Sequence, residues 1–417
     1  MKKDRIINIL MLASRVVLGF VFIFSGFVKG VDPMGSAFKF SDYFNAFNLG
    51  FLEPLAIILA FVLAAAEFLI GIALLFSFRF RIGAWAITVF MGFFTVLTFI
   101  LALTNPVTDC GCFGDAVILT NWQTFLKNLI LLPFVFIVFY YRHVQVESWS
   151  LYFSWGGLLV FGILFLILET NAVRHLPVMD FRPYSVGTYI PDKMNIPEGA
   201  PQDEYQSILY YEKNGEIQEF TEDNFPWEDT SWTFVDTDHK LIRKGFEPPI
   251  HDFTIVDEYG IDLVNDILID DGYSFLLIGV HFEKADPEAL AYADELASWC
   301  IASGHSFYCL SASLEEDILQ VREDLDLGFT VHPTDEIALK TIVRSNPGLL
   351  LVKEGTIMGK WHYNDFPALD EIQDGLMAYT MSQNRKALEK RSLGIFIALF
   401  LALSVFIQFN PFGKSNN

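Results

Sequence analysis

Asp109-Cys110-Gly111-Cys112-Phe113-Gly114-Asp115 interrupts two apolar runs, residues 83–104 and 122–141. A helix needs about 20 apolar residues to cross a bilayer, and each run is that long. The heptapeptide therefore reads as a hairpin loop at a membrane surface, carrying two of the chain's four cysteines. A disulfide between Cys110 and Cys112 would close a very small ring, for which Gly111 makes the backbone bend accessible. Strained disulfides are the more oxidising ones, and structural staples gain most from long loops, so the pair suits thiol exchange. Two other readings stand beside this one: a pair that only shapes its loop, or a metal site. The metal reading has only two sulfurs and no histidine close in sequence.

Working outward, further apolar runs lie at 6–28, 54–78, 151–169 and 392–409, which makes six expected spans. The first is expected to stay as an anchor rather than be cleaved. A chain of 417 residues with net charge −22 and 53% hydrophobic residues reconciles these properties by partition. The membrane part comes first, and most of the acid falls between 171 and 390. That balance excludes a basic nucleic-acid surface. Lys2, Lys3, Arg5, Arg79, Arg81 and Arg142 fall on one side of the expected spans, which the positive-inside rule makes the cytoplasm. N-terminus and C-terminus are both expected inside, with the cysteine loop and the acidic segment in the outer, oxidising compartment. Arg385, Lys386, Lys390 and Arg391 disagree, but residues flanking a long translocated domain obey the rule poorly.

Two charges sit inside the expected bundle. Arg15 lies about nine residues from the inner end of its run, ~14 Å, and Glu67 about eleven residues from the inner end of its own, ~16 Å. Similar depth predicts an intramembrane pair, either a clamp between helices or part of a proton- or quinone-linked path. Lys29 and Lys127 are expected near the level of the cysteine loop, where they tune a thiolate or simply reach for the interface. Asp109 and Asp115 would oppose thiolate formation.

Arg15-Val-Val-Leu-Gly-Phe, Gly26-Phe-Val-Lys29, Glu67 with Gly71, and Cys110-Gly-Cys-Phe-Gly followed by Trp122 and Lys127-Asn128 together resemble the DoxX/MauE family of small four-helix membrane proteins. The resemblance covers residues 1–145. It implies a four-helix bundle in an envelope thiol or sulfur-redox setting, quinone-linked in some relatives and devoted to maturation of a disulfide-rich protein in others. It carries over to Cys110, Cys112, Arg15 and Glu67.

A fifth span is expected at 146–170, followed by a proline-interrupted, β-rich connector at 171–250 with strands at 207–212 and 232–236. From 251 to 383 strands and helices alternate. Strands are expected at 253–257, 273–280, 306–311, 349–352 and 357–362, and helices at 287–303, 314–325 and 336–345, with a last helix from about Pro367. The closing order, helix, Asn346-Pro347, strand, Glu-Gly turn, strand with Trp361, helix, resembles the thioredoxin-like fold, and Pro347 takes the cis-proline place that the resemblance implies. Where that family carries C-x-x-C, this chain reads Gly279-Val-His-Phe-Glu, which leaves His281 at a degenerate site. Cys300 and Cys309 are expected in the core, either free or bonded to each other. Residues 384–417 are expected to return the chain to the membrane.

The fold class is thus a membrane helical bundle, a DoxX/MauE-like four-helix core plus two spans, with an extracytoplasmic α/β thioredoxin-like domain. One functional expectation is an inner-membrane oxidoreductase that exchanges Cys110 and Cys112 with a periplasmic thiol protein and passes electrons to quinone, with no metal. The other is a non-catalytic assembly or maturation factor whose outer domain binds a partner protein. Both sit in membrane lipid and neither takes nucleic acid.

Overall fold

Glycine spacing sets how the first helices meet. In the computed structural model, which describes residues 2–107, 109–144, 149–251, 253–257, 259–373, 375–382 and 385–386, α1 (Lys2–Val31) is crossed by α3 (Ala56–Phe76) at very short range, with α2 (Pro33–Ala46) between them in sequence. A Cβ on Gly26 would lie 2.5 Å from the Phe68 nitrogen, and one on Gly71 would lie 2.7 Å from the Ile23 nitrogen. Small residues at such crossings let backbones approach where lipid supplies no hydrophobic drive. α4 (Phe80–Thr104) and α5 (Asn121–Tyr140) complete the four-span bundle. Their core joins Leu18 and Phe22 of α1 to Leu74, Ile87, Met91, Leu131 and Val135. α6 (Leu151–Arg174) packs its Phe165 ring on Phe68, with centroids 4.4 Å apart. Among the described residues, five helices are long and apolar enough to cross a membrane. The expected span at 392–409 lies outside the described residues.

Residues 29–53 lie between two expected spans, 6–28 and 54–78. They hold α2, a helix the apolar-run search passes over because its 14 residues are too short to span. Its start is written locally: the Asp32 side chain accepts from the Gly35 nitrogen, and Pro33 occupies the first turn. Ala37 and Phe44 then pack on Ala56 and Ala60 of α3.

Residues 189–253 form a unit of their own. After a short helix, α7 (Ile190–Met194), β1 (Glu204–Lys213) pairs antiparallel with β2 (Glu216–Thr221) on one side and β3 (Thr233–Arg243) on the other. The expected strands at 207–212 and 232–236 fall inside β1 and β3, and β2 is additional.

The α/β part begins with α8 (Val264–Ile269) and centres on β4 (Ser274–Gly279), buried along its whole length. Around it come α9 (Pro287–Ser303), β5 (Ser306–Ser311), α10 (Glu315–Leu325), β6 (Val331–Pro333), α11 (Glu336–Ile342), β7 (Gly348–Lys353), β8 (Thr356–His362) and α12 (Leu369–Gln373). The sheet order is β6-β5-β4-β7-β8, parallel through β6, β5 and β4, and antiparallel at β7 and β8. The expected strand at 253–257 is not formed. Val256 makes only an isolated bridge to Asp262, because an Asp257 turn folds the segment back on itself. The helix expected at 336–345 stops at Ile342, where Val343 turns extended. β6 is a short edge strand that periodicity is too brief to reveal.

Residues 177–188 are bonded to this domain. Gly187 donates to the Ile357 carbonyl at 2.8 Å, and Asp180 bridges Arg182 at 2.8 Å and Lys360 at 2.7 Å. Burial would raise the Asp180 carboxyl, but Lys360 and Arg182 hold it well below the usual range.

Gly26→Val should overpack the α1–α3 crossing at a cost of about 1–3 kcal/mol, read as a lower melting temperature in detergent. Gly92→Ala, with nothing within 4 Å of its Cβ position, should leave it unchanged or slightly raised.

Candidate functional site

The loop from Asn105 to Thr120 is tied at its ends before it turns. Asn121 donates to the Asn105 side chain at 2.8 Å and to the Val107 carbonyl at 2.7 Å, and a Thr120–Gln123 capping box starts α5. Asp109 bridges to Thr120, and its carboxylate accepts from the Gly111 nitrogen at 2.9 Å. Gly111 has φ +64°, a left-handed turn that glycine adopts without strain. The turn brings the Cys110 and Cys112 sulfurs to 3.2 Å as a dithiol.

Beneath the loop sits a buried ammonium. Lys29 has three donors and three acceptors: Glu67 Oε2 at 2.8 Å, Ser25 Oγ at 2.8 Å, and the Cys112 carbonyl. Its side chain is 6% exposed and that of Glu67 is 8%. Ser25 donates to the same carbonyl at 2.8 Å, and Tyr43 donates to the Cys110 carbonyl at 3.0 Å. Lys39 pairs with Asp109 at 2.6 Å. Lys127 stands over the Phe113 ring at 4.5 Å, and Asn128 donates to Thr98 Oγ1 at 3.1 Å. The two thiols, Lys29, Glu67, Lys127 and Asn128 share the lining of a cavity of about 380 Å³, whose walls are otherwise largely apolar, with Phe22, Phe90, Phe94 and Leu97 among them.

This geometry splits the two thiols. The hydrogen bond from Cys110 lowers the Cys112 thiol below its ordinary range; burial opposes this, and Lys127 and Lys29 reinforce it. Cys110, the donor, is raised by that bond and by burial. Of the two sulfurs, Cys112 is thus the one favoured as thiolate and Cys110 the one favoured as thiol.

The expected Arg15–Glu67 pair is not formed. Glu67 goes to Lys29, while Arg15 donates to the carbonyls of Leu74 at 3.1 Å and Leu75 at 3.3 Å and to Ser77 Oγ. Counting from the ends of apolar runs misjudged the register. α1 runs past the end of α3, so Gly26 faces Ala64 and Phe68, and Arg15 faces the last turn of α3. There its guanidinium satisfies carbonyls that a helix end leaves open.

His281 is 37% exposed, with Glu336 at 3.4 Å and Glu283 at 3.8 Å. Asn346, which precedes Pro347 through a cis peptide, donates to the His281 carbonyl at 2.8 Å. Cys300 and Cys309 are free and fully buried in the core between the sheet and α9; burial pushes both thiols up, Cys300 to about 12. Among the described residues, no cluster of three or more metal-ligating side chains forms. Sequence reading missed Ser25, Lys39 and Tyr43. For the last two the signal was the Asp32-Pro33 cap, followed by apolar residues Ala37, Phe40 and Phe44 at helical spacing.

These features describe a multi-pass membrane protein with a thiol pair closing the end of its four-span bundle. Residues 7–141 match the family model described as methylamine utilisation protein MauE, and residues 205–244 match a domain of unknown function (DUF8463). Protein TlpB of Flavobacterium psychrophilum is 28% identical over 121 residues, 28% of this chain and 32% of that protein, so the match spans about a third of the relative's length. No solved structure matches.

Alkylation of Cys112 should reach half its maximal rate at a pH below that of an ordinary thiol. Since the thiolate reacts, Cys110→Ala should move that midpoint upward; mass spectrometry of labelled peptides reads both. Lys29→Met should cost about 3–5 kcal/mol by stranding Glu67, and Lys29→Met/Glu67→Met should recover most of it in thermal unfolding.

Proposed function

We propose that the protein is a membrane thiol–disulfide oxidoreductase centred on Cys110 and Cys112. The observation that carries this reading is the pair of sulfurs 3.2 Å apart in the lining of an otherwise largely apolar cavity, with the Cys112 thiol held low. Cys112 supplies the attacking sulfur and Cys110 closes the disulfide, which gives up two electrons and the Cys110 proton. A quinone fits the cavity by chemistry, aromatic and apolar along its walls with donors in the lining; when bound it takes up two electrons and two protons, the second proton coming from water. Lys29 and Lys127 hold positive charge beside the sulfurs, and Asn128 offers an amide in the same lining.

In this reading the loop faces the outer compartment of a bacterial inner membrane, since Arg79, Arg81 and Arg142 all lie at the other end of the bundle. A thiol protein of that compartment re-reduces the pair. The α/β domain is read as thioredoxin-like on its strand order. With Cys300 and Cys309 in its core, it carries no exchange chemistry. That same burial favours the second reading, an assembly factor whose outer domain binds a partner and whose cysteine loop is only a shape.

Differential alkylation in intact membranes separates the two. Adding a short-chain quinone analogue before alkylation should convert the dithiol to disulfide, so that Cys110 and Cys112 no longer take up the label until they are reduced. Cys112→Ser should abolish conversion while the protein accumulates normally. A pair that stays in one redox state throughout sinks the oxidoreductase reading.

A further inference from the structure

Two carboxylates flank the thiols, and a neighbouring negative charge holds thiolate formation back. Both are neutralised, but from different places. Asp109 is paired by Lys39 of α2, part of the bundle itself. Asp115 is paired by Arg344, 229 residues further along, just after α11 of the α/β domain. Arg344 Nη2 donates to Asp115 Oδ2 at 3.0 Å, while Nε reaches Asp32 Oδ1 at 3.1 Å and Oδ2 at 2.9 Å. Nη1 donates to the Lys340 carbonyl at 2.6 Å, and the guanidinium lies 5.2 Å from the Phe38 ring centroid. Its side chain is only 7% exposed. The bundle makes room for it: a Cβ on Gly35 would fall 2.7 Å from Arg344 Nη2.

The second carboxylate matters as much as the first. Asp32 caps α2, and α2 carries Lys39 and Tyr43, which hold Asp109 and the Cys110 carbonyl. One guanidinium therefore grips the loop three residues after Cys112 and the start of the helix that supports Cys110. A planar fork can satisfy two carboxylates at once in a way that a lysine cannot.

We propose that Arg344 is a positioning residue of the thiol centre: by pairing Asp115 and Asp32 it cancels the charge behind Cys112 and fixes the cysteine loop, so that the reactive thiol depends on the docked outer domain. This rests on the reading of Cys112 as the attacking sulfur. The groups that shift Cys112 directly belong to the bundle: Cys110 on the loop, Lys29 of α1, Glu67 of α3 and Lys127 of α5. Arg344 acts through Asp115, whose carboxyl Arg182 of the 177–188 segment also influences.

The test uses the full chain in detergent, reading the pH midpoint of Cys112 alkylation by iodoacetamide, with labelled peptides identified by mass spectrometry. Arg344→Ala should raise the midpoint by about one pH unit. Adding Asp115→Asn to that variant should recover at least half of the shift, because the uncompensated charge is gone, and Arg344→Lys should fall between. If Arg344→Ala lowers the melting temperature but leaves the midpoint of the folded protein where it was, Arg344 is only a structural tie and the proposal fails. If Arg344→Ala does not fold, Asp115→Asn alone decides: a lowered midpoint supports the proposal, and an unchanged or raised one overturns it. Quinone-driven disulfide formation is measured separately. Loss of that cycle with the midpoint shift intact would discard the oxidoreductase reading and leave the tuning role standing.

Discussion

A lysine ammonium buried among membrane helices is costly unless every donor is used, and Lys29 uses all three. That requirement orders the upper half of the bundle. Glu67 must face α1, which fixes the rotation of α3, and the glycines at 19, 26 and 71 let the two helices come close enough for the bond to form. Ser25 must sit one turn before Lys29 on the same face. The third donor then has only the cysteine loop to meet, and it takes the Cys112 carbonyl. The loop is thus pinned from below by one of the charges that lower the Cys112 thiol.

The arrangement resolves a conflict in the local sequence. Asp109 and Asp115 bracket the thiols with negative charge, yet Cys112 is the lowered thiol. Asp109 is paired by Lys39 and Asp115 by Arg344, and Lys127 and Lys29 are the cations that lower the Cys112 thiol. Glu67 faces the sulfur too, but its carboxylate is spent on Lys29.

Much of this was legible in the residues. Long apolar runs marked the spans because a bilayer demands about 20 such residues, and the cysteine loop stood out as the polar gap between two of them. Lys29 and Lys127 were found by counting to the ends of those runs. The same counting failed for Arg15 and Glu67, since the depth of a residue in its own run says nothing of the register between two helices. α2 was hidden by the search for spans, though its cap and its Ala37, Phe40 and Phe44 spacing were there to be read. Arg344 could not have been found: its carboxylate partners lie 229 and 312 residues away, and nothing local in Val343-Arg344-Ser345 distinguishes it from a surface arginine. The helices and inner strands of the α/β domain followed from alternation, whereas the short edge strand β6 carries too few residues to show a period.

The cavity under the thiols has a consequence for how strongly it must bind anything. A solute that partitions into lipid is confined to a thin film, where its concentration far exceeds its average over the whole suspension. If the quinone proposed above is the occupant, a chamber walled by Phe22, Phe90, Phe94 and Leu97 can therefore fill with only modest affinity and empty again quickly. Occupancy would follow the composition of the surrounding bilayer, and extraction into micelles, by diluting the film, would change it before any residue moved.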